Sequence, residues 1–247
     1  MSRPVLLVLG AGPGIGLFCA RLFSAKGYKV ALTSRSRAEG IDEDGYLNIR
    51  LDLADTKGIQ AAFAKVSESL GIPHVVIFNG YDRSVRDPKD PLSSISVDGF
   101  LHETATNIAG PLFAAQEAVK GFKELPETAS RTFIQTGNKL NVVPAPPVLT
   151  FGMGKRAAAY MLECASIAYK SEGFRFYFAD QRQSDGGASV PPDGPAHAST
   201  YLQLAEDKEQ RPWYFTFVKD IGYVSFDEAA NLVDFKGPVK DYDRSNS

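Results

Sequence analysis

The stretch VLLVLGAGPGIGLFCARLF, residues 5–23, decides the fold of this chain. Its apolar start, Val5–Leu9, predicts a buried strand, and the apolar spacing that follows the glycines predicts a helix that begins at once. A strand, a glycine turn and a helix together form an anion site. The helix start offers unpaired N–H groups, and the glycines let a pyrophosphate approach the backbone. A glycine turn kept for steric reasons alone is the alternative. The residues predicted to bind the dinucleotide are Gly10, Gly14, Ile15 and Gly16, with the glycines spaced GxxxGxG.

The same alternation of elements continues along the chain. Short apolar runs predict further strands at Lys29–Thr33, Tyr46–Leu51, Val75–Phe78, Arg131–Thr136, Arg175–Phe178 and Trp213–Val218. Helical spacing predicts helices at Ile15–Ala25, Thr56–Ser69, Val97–Glu124 and Phe151–Ser171. Strands alternating with helices indicate a parallel sheet that is covered on both faces. We therefore predict an α/β fold: one domain, residues 1–247, with a Rossmann-type doubly wound parallel sheet of about seven strands and helices on both faces.

Composition excludes several classes of function. A formal charge of −2 and no basic run offer nothing to attract nucleic acid. Cys19 and Cys164 are too few for a disulfide framework, which predicts core thiols in a reducing compartment. The apolar run Val5–Leu9 is too short for a signal peptide or a membrane span. The cysteine usage and the short apolar run therefore predict a soluble cytoplasmic protein. The three histidines lack ligand spacing, so we predict no metal site.

The end of the second predicted strand indicates which dinucleotide binds. The chain reads ALTSRSR there, with Ser34 and Arg35 where many NAD-binding proteins carry an acidic residue. A carboxylate would repel a 2′-phosphate, whereas a guanidinium pairs with it. We therefore predict NADP(H) as the cofactor; a solvated surface arginine is the alternative.

One segment has the composition of a lid. Residues 184–195 read SDGGASVPPDGP and precede the short helical stretch Ala196–Ala205. Long glycine- and proline-rich loops in compact domains are often active-site lids. Residues 184–206 are therefore a candidate substrate lid, with a passive surface connection as the alternative.

These features, together with Asp52, Leu53, Asn79, Gly80 and Asn107, resemble the short-chain dehydrogenase/reductase family over about residues 4–218. The resemblance implies that the glycines hold pyrophosphate and that Asp52 and Leu53 meet the adenine. It also implies that Asn79 and Gly80 line the nicotinamide side, and that Lys155 holds the ribose hydroxyls. Asp52 could equally be a helix cap or turn residue. The alternative for Asn107 is a satisfied core amide, and the alternative for Lys155 is a surface lysine. The family commonly pairs the helix around Ala157–Ala159 between subunits, which implies a homodimer or homotetramer.

The chain departs from the family at its chemistry. The family uses a tyrosine four residues before the lysine as proton donor, assisted by a serine after the fifth strand. Phe151 and Asn138 occupy those positions, and no tyrosine in the chain stands four residues before a lysine. The four residues at the family's catalytic positions are thus Asn107, Asn138, Phe151 and Lys155.

Two functional hypotheses remain from the sequence. One is an NADP(H)-dependent oxidoreductase acting on a small or medium organic substrate, with its proton drawn from the substrate, from water or from Tyr81, Asp82 or Lys139. Each of these three follows a strand end, where open α/β sheets bind ligands, although a residue at such a place is more often a plain loop residue. The other is a catalytically inactive NADP(H)-binding pseudoenzyme that acts as a sensor or scaffold. A dehydratase or cyclase has no residue in its favour.

Overall fold

A computed structural model describes residues 3–227 of the protein. The ends of the predicted domain, residues 1–2 and 228–247, lie outside the described residues. Within this range none of the helices is long and apolar enough to cross a membrane.

The centre of the molecule is one sheet of nine strands, ordered β3-β4-β2-β1-β5-β6-β7-β8-β9. Seven central strands are parallel, and the short β3 and β9 are antiparallel at the two edges. The strands are β1 (Val5–Leu9), β2 (Lys29–Ser34), β3 (Gly40–Ile41), β4 (Leu47–Arg50), β5 (Val75–Phe78), β6 (Thr132–Thr136), β7 (Arg175–Arg182), β8 (Tyr214–Val218) and β9 (Gly222–Tyr223).

The chain order reverses between β1 and β5, which are neighbours in the sheet. From β1 the chain proceeds outward through β2 to β4, and from β5 it proceeds the other way through β6 to β8. The crevice at such a switch point, outside the carboxyl ends of the strands, is where open α/β sheets bind ligands. Gly10 and Asn79, which follow β1 and β5, therefore lie side by side at this crevice.

Helices cover both faces of the sheet. They are α1 (Ile15–Ala25), α2 (Thr56–Ser69), α3 (Val97–Thr104), α4 (Gly110–Phe122), α5 (Leu149–Ala168) and α6 (Gly194–Glu206). Side chains of α2, α4 and α5 pack on one face, and side chains of α1 and α6 pack on the other. Strand β1 shows why: Leu7 and Leu9 point to the first face, while Leu6 and Val8 point to the second. Buried side chains on both faces explain the continuous apolar runs that predicted the strands.

The predicted fold class is confirmed, and the strand count is corrected from about seven to nine. The two additional strands have two residues each, too few to show any periodicity in the sequence. The long helix predicted over Val97–Glu124 is wrong as one regular helix. A π-helical segment, Ala105–Ala109, separates α3 from α4 and contains Asn107. Such segments occur frequently at functional sites.

Candidate active site

The glycine turn after β1 is packed directly against the end of β5. Gly10 has φ of +88°, and a Cβ atom there would lie 2.5 Å from the backbone nitrogen of Gly80. The Asn79 side-chain amide donates to the Gly10 carbonyl at 2.9 Å. A Cβ on Gly16 would lie 2.7 Å from the Cα of Ala11, so the helix start also requires a glycine. Gly10 and Gly16 are therefore required by the fold itself.

Two other glycines of the turn face open space. A Cβ on Gly12 or Gly14 would have no protein atom within 4 Å, and neither residue has a positive φ. Gly14 caps α1 without a side-chain hydrogen bond, and no acidic residue occupies the first turn. An uncapped helix start beneath open glycines fits a pyrophosphate, because the N–H groups and the helix dipole both favour an anion. The residues present thus fit a dinucleotide.

The region after β2 holds the predicted adenosine-side residues. Ser34 accepts a hydrogen bond from the Arg37 N–H at 3.0 Å, which closes a tight turn. Arg35 lies exposed within this turn. Asp52 is exposed, and its carboxylate accepts from the Ala54 N–H at 3.0 Å as a turn aspartate, while the cap of α2 is Asp55.

Thr136, the last residue of β6, connects three of the predicted site residues, Lys155, Asn79 and Gly10. Its hydroxyl donates to the Asn79 side-chain oxygen at 2.9 Å and accepts from the Tyr201 hydroxyl at 2.9 Å. Its carbonyl accepts from Lys155 Nζ at 2.8 Å. The interactions therefore run from Lys155 through Thr136 and Asn79 to Gly10. Sequence reasoning missed Thr136; a polar residue ending a buried strand was the available signal.

Lys155 is a buried ammonium group. Only 7% of its surface is exposed, and burial lowers its pKa to about 8, although the charge of Asp180 opposes the shift. The side-chain nitrogen lies 5.2 Å from the centre of the Phe151 ring. A surface role for Lys155 is therefore wrong: it is held by a carbonyl group and an aromatic ring.

Phe151 belongs to a small apolar cluster with Leu140, Ala145 and Val148. The Phe151 ring also contacts the ring of Tyr81, which lies in the chain segment that follows β5. The two ring centres are 5.4 Å apart, and the ring planes are inclined by 38°. Tyr81 is 50% exposed. An exposed aromatic residue beside a buried one gives this edge of the site an apolar surface.

Two asparagines predicted to be catalytic are occupied by backbone hydrogen bonds. The Asn107 side chain accepts from the Asp82 N–H at 3.0 Å and donates to the Asp82 carbonyl at 2.7 Å. Asn138 accepts from the Leu140 N–H at 3.1 Å and caps a short 3-10 turn, Lys139–Asn141. A Cβ on Gly154 would lie 2.6 Å from the Asn107 Cβ, so α5 packs closely against the π segment.

The remaining proton-donor candidates have other partners. Lys139 is buried and donates to the Gly186 carbonyl at 2.9 Å. The Asp82 carboxylate accepts from the Arg83 N–H at 2.9 Å and lies 3.5 Å from His102 Nε2. The third candidate, Tyr81, has a ring contact with Phe151.

The candidate lid, residues 184–206, consists of a loop and a helix. Lys139 and Arg182 both donate to the Gly186 carbonyl within the loop. Helix α6 packs against α1, and Tyr201 on it is fully buried. Movement of the candidate lid stays a prediction. Because α6 buries its side chains, we expect any such movement to involve the loop and not the helix.

No group of three or more histidine, cysteine, aspartate or glutamate side chains that could hold a metal ion occurs within residues 3–227.

The fold and the turn define a Rossmann-type nucleotide-binding protein, and comparisons with known proteins identify its family. The sequence profile of the short chain dehydrogenase family matches residues 4–178. A relative named short chain dehydrogenase/reductase dmxR12, from Cryptosporiopsis sp., is 40% identical over 240 residues, 92% of this chain and 96% of the relative. This protein therefore belongs to the short-chain dehydrogenase family, a class of oxidoreductases.

Solved structures agree with this fold. A short-chain dehydrogenase/reductase from Serratia marcescens superimposes with a TM-score of 0.72 at 17% identity, covering 88% of this chain and 97% of that one. A metagenomic short-chain oxidoreductase in complex with NADP superimposes with a TM-score of 0.73 at 16% identity, covering 88% and 98%.

Proposed function

We propose that this protein is an NADP(H)-dependent oxidoreductase that reduces a small or medium apolar organic molecule at a site without the family's tyrosine acid. The observation that carries the proposal is the connected set of hydrogen bonds from Lys155 through Thr136 and Asn79 to Gly10. These bonds join the predicted ribose-binding ammonium to the open glycine turn, so the parts of a dinucleotide site are held in one arrangement.

The choice of NADP(H) over NAD(H) rests on Arg35. Arg35 is exposed in a tight turn at the end of β2, with no carboxylate at Ser34 to repel a phosphate. A guanidinium group pairs with a phosphate through two parallel hydrogen bonds. The metagenomic neighbour, which was solved with NADP, supports the same choice.

The residues of the site have separable roles in the proposed reaction. NADPH, when bound, supplies a hydride to the acceptor. The turn at Gly12 and Gly14 holds the pyrophosphate, and Lys155 donates to ribose hydroxyls. Thr136 and Asn79 fix the position of that lysine relative to the turn. The apolar ring of Phe151 excludes water beside the ammonium.

Phe151 decides which acceptors are reduced with least difficulty. A neutral carbonyl gains negative charge on its oxygen during hydride transfer and needs a proton from a general acid. The loss of a general acid costs about 100- to 10,000-fold in rate. An iminium acceptor already carries the positive charge that the hydride neutralises. The site therefore suits iminium compounds, and it suits carbonyl compounds only with a proton donor other than residue 151.

Titration with NADPH and NADH, followed by nicotinamide fluorescence, tests the cofactor part of the proposal. Wild-type protein is expected to bind NADPH at least about tenfold more tightly than NADH, which corresponds to about 1.4 kcal/mol. Arg35→Ala is expected to remove that preference. Arg21→Ala is the matched control and should preserve it, because Arg21 is an exposed arginine in the second half of α1, outside the turn that holds Arg35. Equal affinities for both nucleotides would overturn the assignment of NADP(H).

A matched pair of acceptors tests turnover. Alpha-tetralone and N-methyl-dihydroisoquinolinium are bicyclic aromatic compounds of similar size, one a neutral ketone and one a permanent iminium. NADPH oxidation dependent on either compound supports the proposal. NADPH binding without turnover of these or related carbonyl, enone and iminium compounds would contradict it.

The second candidate function is a pseudoenzyme that binds NADP(H) as a sensor or scaffold. The observation that favours it is Phe151, because its ring offers no proton and packs in an apolar cluster. It predicts NADPH binding with no turnover, the outcome that contradicts the first proposal.

We also propose that the protein pairs with a second copy of itself in the cytoplasm. Met153, Tyr160 and Ile167 lie seven residues apart on α5, so they share one helix face, and they are 46%, 69% and 71% exposed. An exposed apolar row on a helix is typical of a subunit interface.

A further inference from the structure

We infer that Tyr81 is the proton donor of this site when the acceptor is a neutral carbonyl compound. The inference rests on the proposed function and names the residue that takes over the task for which Phe151 has no hydroxyl. Its basis is a contact between two residues that are far apart in the sequence.

The ring of Tyr81 lies against the ring of Phe151, with centres 5.4 Å apart. Tyr81 directly follows Asn79 and Gly80, whose backbone N–H groups donate to the Leu9 carbonyl at the switch point of the sheet. Tyr81 therefore lies at the carboxyl edge of β5, beside the crevice that the glycine turn borders.

The hydroxyl of Tyr81 is available to an acceptor. Half of the residue's surface is exposed, and its hydroxyl has no hydrogen bond to any residue within 3–227. A phenol is both a donor and an acceptor, and one without a protein partner can bond to a substrate oxygen. Its exposure also gives water access to it.

Three other proton-bearing groups of the site, on Lys155, Tyr201 and Thr136, are already bonded within the protein. Lys155 donates to the Thr136 carbonyl, lies 5.2 Å from the centre of the Phe151 ring and is buried. The Tyr201 hydroxyl donates to Thr136 Oγ1 and is fully buried, and Thr136 in turn donates to Asn79. None of them is as accessible as Tyr81.

Asn107 acts as the positioning residue for Tyr81. Its side chain bonds both the N–H and the carbonyl of Asp82, the next residue along the chain. Asn107 is buried in the π-helical segment, so this pair of bonds holds the backbone beside Tyr81 in place. A positioned donor reacts faster than a mobile one, because it loses less orientational freedom in reaching the transition state.

The chemistry balances with NADPH as reductant. The carbonyl carbon gains a hydride and forms a C–H bond, and the electron pair of the carbonyl π bond moves to oxygen. That oxygen takes the phenolic proton of Tyr81 and becomes the alcohol, leaving NADP⁺ and a phenolate. Bulk water then returns a proton to Tyr81. An iminium acceptor gains the same hydride and needs no proton.

The matched acceptor pair tests this assignment. Tyr81→Phe is expected to lower alpha-tetralone reduction by about 100-fold or more and to leave N-methyl-dihydroisoquinolinium reduction within about twofold. Tyr223→Phe is the control, because Tyr223 is 43% exposed and has its own ring contact, with Phe215 at 5.0 Å, at the far edge of the sheet. Unchanged ketone reduction in Tyr81→Phe, or an equal loss with both acceptors, would overturn the inference.

A binding measurement provides a readout that does not require turnover. Calorimetric titration of the NADP⁺ complex compares alpha-tetralone with tetralin, which has no carbonyl oxygen. Tyr81→Phe is expected to weaken tetralone binding by about fivefold, the effect of one hydrogen bond, and to leave tetralin binding unchanged. Equal effects on both compounds would mean that Tyr81 only packs against the ligand, which would contradict the assignment.

The failure of this inference is distinguishable from failure of the proposed function. If wild-type protein binds NADPH but reduces neither these two acceptors nor related carbonyl, enone and iminium compounds, the proposed function fails. If it reduces both and Tyr81→Phe affects neither, the oxidoreductase assignment survives and the role of Tyr81 is wrong.

Discussion

The side-chain nitrogen of Lys155 lies 5.2 Å from the centre of the Phe151 ring. The lysine that the family pairs with a tyrosine hydroxyl thus faces an aromatic ring with no hydroxyl. The ammonium keeps a hydrogen bond to the Thr136 carbonyl, so its place in the site does not depend on a tyrosine. The proposed cofactor binding and the proposed proton supply therefore involve different residues, and each can be tested alone.

Replacing Phe151 by tyrosine tests whether the site keeps the family's reductase geometry. Phe151→Tyr together with Asn138→Ser places a hydroxyl near Lys155, and serine can still cap the turn at Leu140. We expect alpha-tetralone reduction to rise by about tenfold or more, with a larger gain in a Tyr81→Phe background. Steady-state kcat/KM gives the result. Phe151→Leu, which adds no hydroxyl, should show no gain; a gain there would mean that space, not the hydroxyl, matters.

Burial of Lys155 makes stability depend on alkaline pH. Its pKa is lowered to about 8 in the folded protein, against about 10.4 in an unfolded chain. Between these values the unfolded chain holds the additional proton, so wild-type stability rises with pH, by at most on the order of 3 kcal/mol. Urea unfolding of wild type and Lys155→Met across this range isolates the contribution. The free energy of unfolding of the Met variant should lack this rise. If it rose with pH as much as that of wild type, the assignment to Lys155 would be wrong.

His197 makes stability depend on acidic pH. It is buried, contacts the Tyr201 and Phe217 rings edge-on, and donates to the Asp193 carbonyl at 2.7 Å. Burial lowers its pKa to about 4, while Asp193 opposes the shift. The unfolded chain, with a pKa of about 6.5, binds the proton first, so stability is lost as pH falls from about 6.5 to about 4. In denaturation experiments, His197→Asn should lose less over this range than wild type does.

The glycines of the turn should separate folding from binding. Gly10→Ala forces a Cβ to within 2.5 Å of Gly80 at a positive φ, so we expect a loss of about 2 kcal/mol or more in the free energy of unfolding. Gly14→Ala meets no protein atom within 4 Å and should fold normally, but weaken NADPH binding about tenfold or more. Denaturation and fluorescence titration measure the two effects. Normal NADPH affinity in Gly14→Ala would contradict the pyrophosphate site.

The exposed row on α5 should control the oligomeric state. Ile167→Glu places a charge in an apolar interface, so we expect a shift from dimer or tetramer to monomer. Sedimentation velocity measures the mass. Ile221→Glu is the control, because Ile221 is 66% exposed but lies between β8 and β9. A monomeric wild type would contradict the proposed pairing.

Local sequence patterns predicted the central elements with little error. The bounds of Val5–Leu9, Ile15–Ala25, Thr56–Ser69 and Val75–Phe78 agree with the structure. These elements bury one face or both faces, so the spacing of their apolar residues reports their geometry directly. The edge strands and the π segment at Asn107 escaped prediction. An edge strand of two residues shows no periodicity. A π-helical segment adds one residue to a helical turn, which leaves the spacing of the apolar residues almost unchanged.

The candidate site divides in the same way. The sequence by itself determined the doubly wound sheet, the glycine turn and the absence of a hydroxyl at residue 151, because each depends on neighbouring residues or on one side chain. Only the tertiary structure decided that Thr136 connects Lys155 to Asn79, that Asn107 holds Asp82, and that Tyr81 lies against Phe151. The reason is physical: these contacts join residues far apart in the chain, and the order and register of the strands, which no local pattern encodes, bring them together.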